Sequence, residues 1–200
     1  MAQFSTEQIY RAACSKYEEI KDTIAEMTEL VNQVNGGLKY EAAMTAFDLM
    51  IQATLLNVAV VDGSFQAIEK EFITVLTEYG DLMNFVNNEA KSQNSTWVDV
   101  EWDDIEDLDA ETKKKLAAIA ATVVDPYATS FVNIFAVIDK LVEERDYLNT
   151  LREAVCSIVI SLSLIDGDEM NSKVANAEGY VGISVIDLLL TKKWEEIVSE

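Results

Sequence analysis

Apolar residues recur at helical spacing along most of the chain, and this pattern predicts an all-α fold. The first predicted helix begins with a capping-box pattern at Ser5 and Gln8, is braced by a hydrophobic staple of Phe4 and Ile9, and ends at Gly36-Gly37. We expect its apolar seam either to pack on the rest of the domain or to form a coiled coil, in a homodimer or with a partner helix. The seam has strict heptad spacing and comprises Tyr10, Ala13, Tyr17, Ile20, Ile24, Met27, Val31 and Val34.

Two further helices are apolar on every side over much of their length. They are predicted at about Leu38–Val61 and near Leu148–Ile165, and their all-apolar parts are Phe47–Val61 and Leu151–Ile165. A helix of this kind needs neighbours all round, as in the middle of a bundle. We therefore expect these two parts to be adjacent central helices.

Amphipathic helices fill most of the remaining chain. Asp109 predicts the N-cap of one of them, and Asp125-Pro126 predicts a break, because proline favours the first position of a new helix. The last helix is expected to close over the core through Trp194 and Ile197. The pattern gives about seven to nine helices in all, and the amphipathic ones are Gln66–Tyr79, Leu82–Ala90, Ala110–Val124, Pro126–Arg145, one that begins at Asn171, and Ser184–Ser199.

A very acidic segment interrupts the helical pattern, and residues 93–111 are interpreted as an insertion between two halves of the chain. Its part Trp97–Trp102 alternates apolar and polar residues, which favours a short extended piece. Three interpretations stay open. The segment is a solvated linker whose tryptophans dock on the core, a cation-binding loop, or a recognition segment for a basic partner.

Composition narrows the chemistry that the chain can perform. The 200 residues include 36 acids and 15 bases, for a net charge of −21, and no histidine. This charge disfavours nucleic acid and anionic membranes as ligands and favours cations or a protein partner with a basic surface. The absence of histidine removes the commonest general base, and Cys14 and Cys156 belong to no zinc-binding cluster. The polar, acidic N-terminus and apolar runs shorter than about 18–20 residues predict a cytoplasmic protein without membrane insertion.

A short pattern occurs once in each half of the chain: an apolar helix that ends in Asp-Gly, at Leu55–Gly63 and again at Val159–Gly167. Residues Val61–Glu69 read VDGSFQAIE, and Ile165–Lys173 read IDGDEMNSK. The pattern resembles the TerB-like family, named for the tellurite resistance protein TerB, whose halves each carry an apolar helix, Ala-Asp-Gly, a hydrophobic residue, a polar cap and then a glutamate. Here Val61 replaces the alanine, and Lys173 stands at the second glutamate position, so that the next acid is Glu178.

The resemblance implies one all-helical domain over residues 1–200. Its parts would be the heptad helix 1–35, a first TerB-like half 41–90, the acidic insertion 93–111 and a second half 112–200. It also implies a part in stress, metal-ion or tellurite-resistance-type systems, binding of a divalent cation at the acidic turns, and use as an interaction module without enzyme activity.

The aspartates of the two turns have two interpretations. Each could cap the helix that follows, because an Asx-turn is the routine use of aspartate at such a position. Alternatively they hold a hard cation, for which Ca²⁺ or Mg²⁺ would suit the oxygen ligands that are available. Asp166-Gly167-Asp168 opens like an EF-hand, but Met170 fills a ligand position and the loop glycine is missing. The candidate metal ligands are Asp62, Glu69, Asp166, Asp168 and Glu178.

Three hypotheses for function follow. The first is a non-catalytic TerB-like protein that binds a divalent cation or a partner. The second is a structural interaction module that dimerises or docks through its N-terminal helix, without metal. The third is a hydrolase with paired carboxylates, which the lack of acid–base and nucleophile signatures disfavours.

Overall fold

A computed structural model of the protein describes residues 5–34, 36–60, 63–142 and 145–165, and these residues form helices joined by short connections. Within these ranges there is no β-strand, so the predicted all-α class is confirmed. Phe4 and the helices predicted at Asn171 and Ser184–Ser199 lie outside the described residues. The elements are α1 Thr6–Val34, α2 Tyr40–Ala59, α3 Ala67–Leu76, α4 Leu82–Gln93, a 3₁₀ helix Trp102–Asp107, α5 Ala110–Asp139 and α6 Tyr147–Ile165.

Helix α2 lies at the centre of the bundle. Every residue from Phe47 to Val60 is buried, and α2 contacts each of the other five described α-helices. Helix α6 is its neighbour, as the apolar pattern predicted, and ten of its residues from Leu151 onward are buried. The two all-apolar segments therefore share one core.

Helix α1 begins with the predicted capping box. The Ser5 N–H donates to Gln8 Oε1 at 2.8 Å, and the Gln8 N–H donates to Ser5 Oγ at 3.3 Å. The seam is buried at Ala13, Tyr17, Ile20, Ile24 and Met27, and α1 packs extensively along α6. From Ala13 to Met27 the seam therefore packs on the rest of the domain, which is the first of the two expectations for it.

Helix α5 corrects one prediction. It runs as one helix from Ala110 to Asp139, so the break expected at Pro126 and the extension to Arg145 are both wrong. Pro126 has no N–H to donate to the preceding turn, which weakens the helix locally. The same face nevertheless stays buried on both sides of the proline, with Val124 before it and Ala128 after it. Continuous packing on α2 thus outweighs the missing hydrogen bond.

Two contacts give the direction of α5 along α2. The Asn57 side-chain amide donates to the Ala117 carbonyl at 3.0 Å, and the rings of Phe47 and Phe131 lie 5.8 Å apart. As the numbers rise along one helix they fall along the other, so the two helices are antiparallel. The start of α5 therefore lies near the end of α2.

The acidic segment is held on the bundle by its tryptophans. The Trp97 indole N–H donates to Asn87 Oδ1 of α4 at 3.0 Å, and that of Trp102 donates to Thr74 Oγ1 of α3 at 2.9 Å. Ile105, three residues after Trp102, is fully buried. The stretch 97–101 has no regular structure and leads into the 3₁₀ helix. The tryptophans dock on the core, as the linker interpretation expects.

Asp48 is a fully buried carboxylate in the middle of α2. Its Oδ1 accepts the hydroxyl of Tyr17 at 2.6 Å, and its Oδ2 accepts the backbone N–H groups of Glu78 at 2.8 Å and Tyr79 at 2.5 Å. Burial raises the pKa of Asp48 above its ordinary value, while the hydrogen bonds from Tyr17, Tyr79 and Glu78 oppose that rise. One side chain thus fixes α1 and the turn after α3 on α2.

Gln52, one turn further along α2, holds the same turn. Its Nε2 donates to Thr77 Oγ1 at 2.8 Å and to the Gly80 carbonyl at 3.2 Å, and its Oε1 accepts the Leu82 N–H at 3.3 Å. A Cβ on Gly80 would lie 2.7 Å from Gln52 Oε1. Gly80 is therefore required by this close approach.

Three described helices, α2, α5 and α6, are long and apolar enough to cross a membrane by length and composition. The sequence-based statement that the apolar runs are too short is therefore corrected. In α2 the most apolar window is 78% buried within the bundle, against 56% in α6 and 39% in α5. A central helix and a membrane span need the same composition, so these helices do not establish where the protein resides.

We expect Leu56→Ala and Leu162→Ala to lower the free energy of unfolding by about 2–5 kcal/mol each, because both side chains are enclosed and their loss leaves a cavity. Val98→Ala is the control, since Val98 is exposed and its change should cost less than about 0.5 kcal/mol. Denaturant unfolding measures all three. Losses below about 1 kcal/mol at both buried sites would contradict the central position of α2 and α6.

We expect the stability lost in Asp48→Asn to depend on pH. Because the pKa of Asp48 is raised above its ordinary value of 3.8, its contribution to stability is full below that value and falls as pH rises through the folded pKa. Asparagine does not titrate. The free energy of unfolding that the variant loses relative to wild type should therefore be largest at about pH 4 and become smaller towards about pH 7. Urea unfolding at constant ionic strength measures the free energy of unfolding of wild type and variant. The titration of the other carboxylates contributes equally to both and cancels in the difference. A difference that is constant or grows with pH would contradict this account.

Candidate functional site

The structure describes one part of the predicted cation site, the first acidic turn. This turn is described only from Gly63 onward. Glu69 lies in the described part of the chain. The second turn and the remaining candidate ligands lie outside it, namely Asp62, Asp166, Asp168 and Glu178.

Gly63 makes the turn between α2 and α3. Its backbone has φ +86°, which favours glycine, and its N–H donates to the Val60 carbonyl at 2.9 Å. A Cβ at this position would lie 3.0 Å from the Cβ of Ala110, the first residue of α5. Backbone conformation and the closeness of α5 both require glycine here, and the turn after α2 lies against the N-terminus of α5.

Glu69 is fully buried in the first turn of α3. Its Oε2 accepts the backbone N–H of Gln66 at 2.8 Å, which completes a capping box between the two residues. A carboxylate is also favoured electrostatically at a helix N-terminus. The structure thus gives Glu69 a capping role.

Lysines accompany the acids around this turn. Lys70 Nζ lies 3.2 Å from Glu106 Oε1 and 3.7 Å from Asp103 Oδ1, and Lys113 Nζ donates to the Glu106 carbonyl at 2.9 Å. The hydrogen bond to Glu106 raises the pKa of Lys70. Ammonium groups therefore occupy positions beside Glu106 where a cation would otherwise be favoured.

Aromatic packing joins the acidic segment to the same turn. Phe65, buried just after Gly63, meets Trp102 edge to face with ring centroids 5.9 Å apart. The hydrophobic residue of the motif thus holds the 3₁₀ helix over the start of α3.

Within residues 5–34, 36–60, 63–142 and 145–165, no group of three or more Asp, Glu, Cys or His side chains is placed to hold a metal ion. Glu69 is the one candidate ligand covered by that statement. The described acids of the insertion form ion pairs or face solvent. Asp99, for example, has its Oδ2 2.7 Å from Lys91 Nζ.

An apolar groove lies at the other end of α1, and sequence reasoning did not find it. We call it the α1–α5 groove; its volume is about 650 Å³, and Gln33 and Asn133 are the polar residues of its lining. Helix α1 and the start of the next connection contribute Leu30, Val31, Val34 and Leu38, and the end of α5 and the residues after it contribute Ile134, Val137, Ile138, Leu141 and Val142. Val31 and Val34 are the last two positions of the heptad seam. Their place in the seam is the sequence signal that indicates an apolar surface here.

No protein-family model matches the chain, and no curated protein or solved structure matches it significantly. The resemblance to the TerB-like family therefore rests on the residues of the two Asp-Gly turns alone. It stays a prediction.

Proposed function

We propose that the chain is a non-catalytic, TerB-like helical protein of the cytoplasm that binds a divalent cation, Ca²⁺ or Mg²⁺, at its first acidic turn. The proposed ligands are Asp62 and Glu69, and the setting is a stress or tellurite-resistance-type system. The observation that supports this best is the burial of Glu69 at the start of α3, directly after the Gly63 turn.

The position of Asp62 makes a cation favourable. Asp62 follows α2, where the helix end is negative, and Glu69 adds a second carboxylate seven residues later. A hard cation bound by oxygen ligands would offset both charges. The net charge of −21 also raises the local concentration of cations around the molecule.

Capping and cation binding make different demands on Glu69. Glutamine caps a helix from the N3 position as glutamate does, because its side-chain oxygen also accepts the N-cap N–H. It lacks the charge that a divalent cation needs. Glu69→Gln therefore keeps the described hydrogen bond to Gln66 and removes the proposed ligand charge.

At the second turn the same proposal is weaker. Asp166, Asp168 and Glu178 would supply the ligands there, but Lys173 stands where the family pattern has glutamate. We propose that Asp166 mainly caps the chain that follows it. A protein partner with a basic surface is the alternative ligand, because the net charge of −21 would attract it.

The experiment is thermal unfolding of wild type, Asp62→Asn and Glu69→Gln with and without Ca²⁺ or Mg²⁺. We expect a gain of about 2.7 kcal/mol in wild type at about 100 times Kd, which is a Tm shift of roughly 5–10 °C. Both variants should lose that shift. NaCl must match the ionic strength, because any salt screens the charge of −21.

Asp81→Asn is the control for the loss of one capping carboxylate. Asp81 caps α4 by accepting the Asn84 N–H at 3.2 Å, and no cation is proposed there. It should keep the full response to divalent ions. A wild type that responds no more to Ca²⁺ and Mg²⁺ than to sodium refutes the cation site and leaves capping as the role of the turn.

A further inference from the structure

The α1–α5 groove exposes large apolar side chains at one end of the bundle. Val34 is 85% exposed, Leu141 73% and Val137 54%. Exposed apolar residues are ordinary when scattered, but these line one groove of about 650 Å³. An apolar groove of this kind leaves room for an apolar occupant.

We propose that the α1–α5 groove is the docking site for residues 184–199 of the same chain. These residues lie outside the described part, and their sequence predicts an amphipathic helix. Spaced three and four apart, Ile186, Leu190, Trp194 and Ile197 form an apolar stripe that Leu189 widens. Sixteen residues in a helix span about 24 Å, and the groove is lined from Asn133 to Val142 on its α5 side, so part of the stripe would lie in the groove.

The chain is long enough to reach the groove. Helix α6 starts beside the second half of α1, because Tyr147 Oη donates to Glu26 Oε1 at 3.0 Å and Arg145 pairs with the same oxygen at 3.1 Å. Thr150 faces the same surface cleft as Glu19, so α6 runs back along α1. The end of α6 at Ile165 therefore lies towards the N-terminal end of α1.

From there the groove is about 40 Å away along α1, at 1.5 Å per helical residue. Residues 166–183 connect Ile165 to the proposed helix and can span up to about 60 Å when extended. The linker retains slack even if part of it is helical.

A tethered segment also has an advantage over other occupants. A short linker holds it at an effective concentration in the millimolar range, whereas a separate chain binds from its bulk concentration. A second copy would bring another charge of −21 to the same surface and would be repelled. Both arguments favour the chain's own segment.

Trypsin cleavage after Lys192 and Lys193 tests the proposal in the full chain. We expect Val34→Asp and Leu141→Asp each to speed cleavage at these two sites at least tenfold, because the charged groove releases the segment. Both residues are exposed, so the fold should persist, and circular dichroism checks it. Val98→Asp is the matched control, since Val98 is 80% exposed and outside the groove. Equal cleavage rates in wild type and both groove variants would overturn the proposal.

Disulfide trapping identifies the occupant. In a chain with Cys14→Ser and Cys156→Ala, the pair Leu141→Cys and Leu190→Cys should oxidise at least tenfold faster than the control pair Val98→Cys and Leu190→Cys. A mixture of ¹⁴N- and ¹⁵N-labelled protein shows by mass whether the bond lies within one chain. Bonds within one chain support the proposal. Bonds between chains would assign the groove to a second copy and overturn it, as would a rate no faster than the control.

Discussion

Helix α2 is enclosed by the other five described α-helices, because a helix that is apolar on every side is destabilised wherever one side meets water. The other elements follow from that requirement. Helix α5 covers one side of α2 along most of its length and stays helical through Pro126 to do so. The tryptophans of the acidic segment extend the cover over α3 and α4.

The polar residues of α2 give this packing a unique register. An apolar surface alone would let neighbouring helices slide or rotate at little cost. Asp48, Gln52 and Asn57 remove that freedom, because each is buried and each needs partners on another element. The single side chain of Asp48 connects α2 with both α1 and the turn after α3. The cost of burying its charge is offset only when all of these elements are in place.

The sequence predicts the helices well because their apolar spacing and caps are local signals, such as the Ser5–Gln8 box and the Asp109 cap, which accepts the Thr112 N–H at 2.9 Å. The local preference of proline for the first position of a helix predicts a break at Pro126. Packing along the whole of α5 overrides that preference. The partners of Asp48 could not be predicted, since Glu78 and Tyr79 are distant in sequence. The α1–α5 groove depends likewise on two distant helices. For the candidate site, the motif placed Glu69 at the start of the helix after the turn, but no local signal decides between a cap and a ligand.

The pairing of α1 with α6 has a consequence for how the chain folds as it is made. The first helix leaves the ribosome long before its main partner, since about 130 residues separate Val34 from Ile165. At about 5–20 residues per second, the apolar face of α1 waits roughly 7–26 s for α6. During that interval the face of α1 that packs on α6 is accessible to a chaperone, until α6 emerges and covers it.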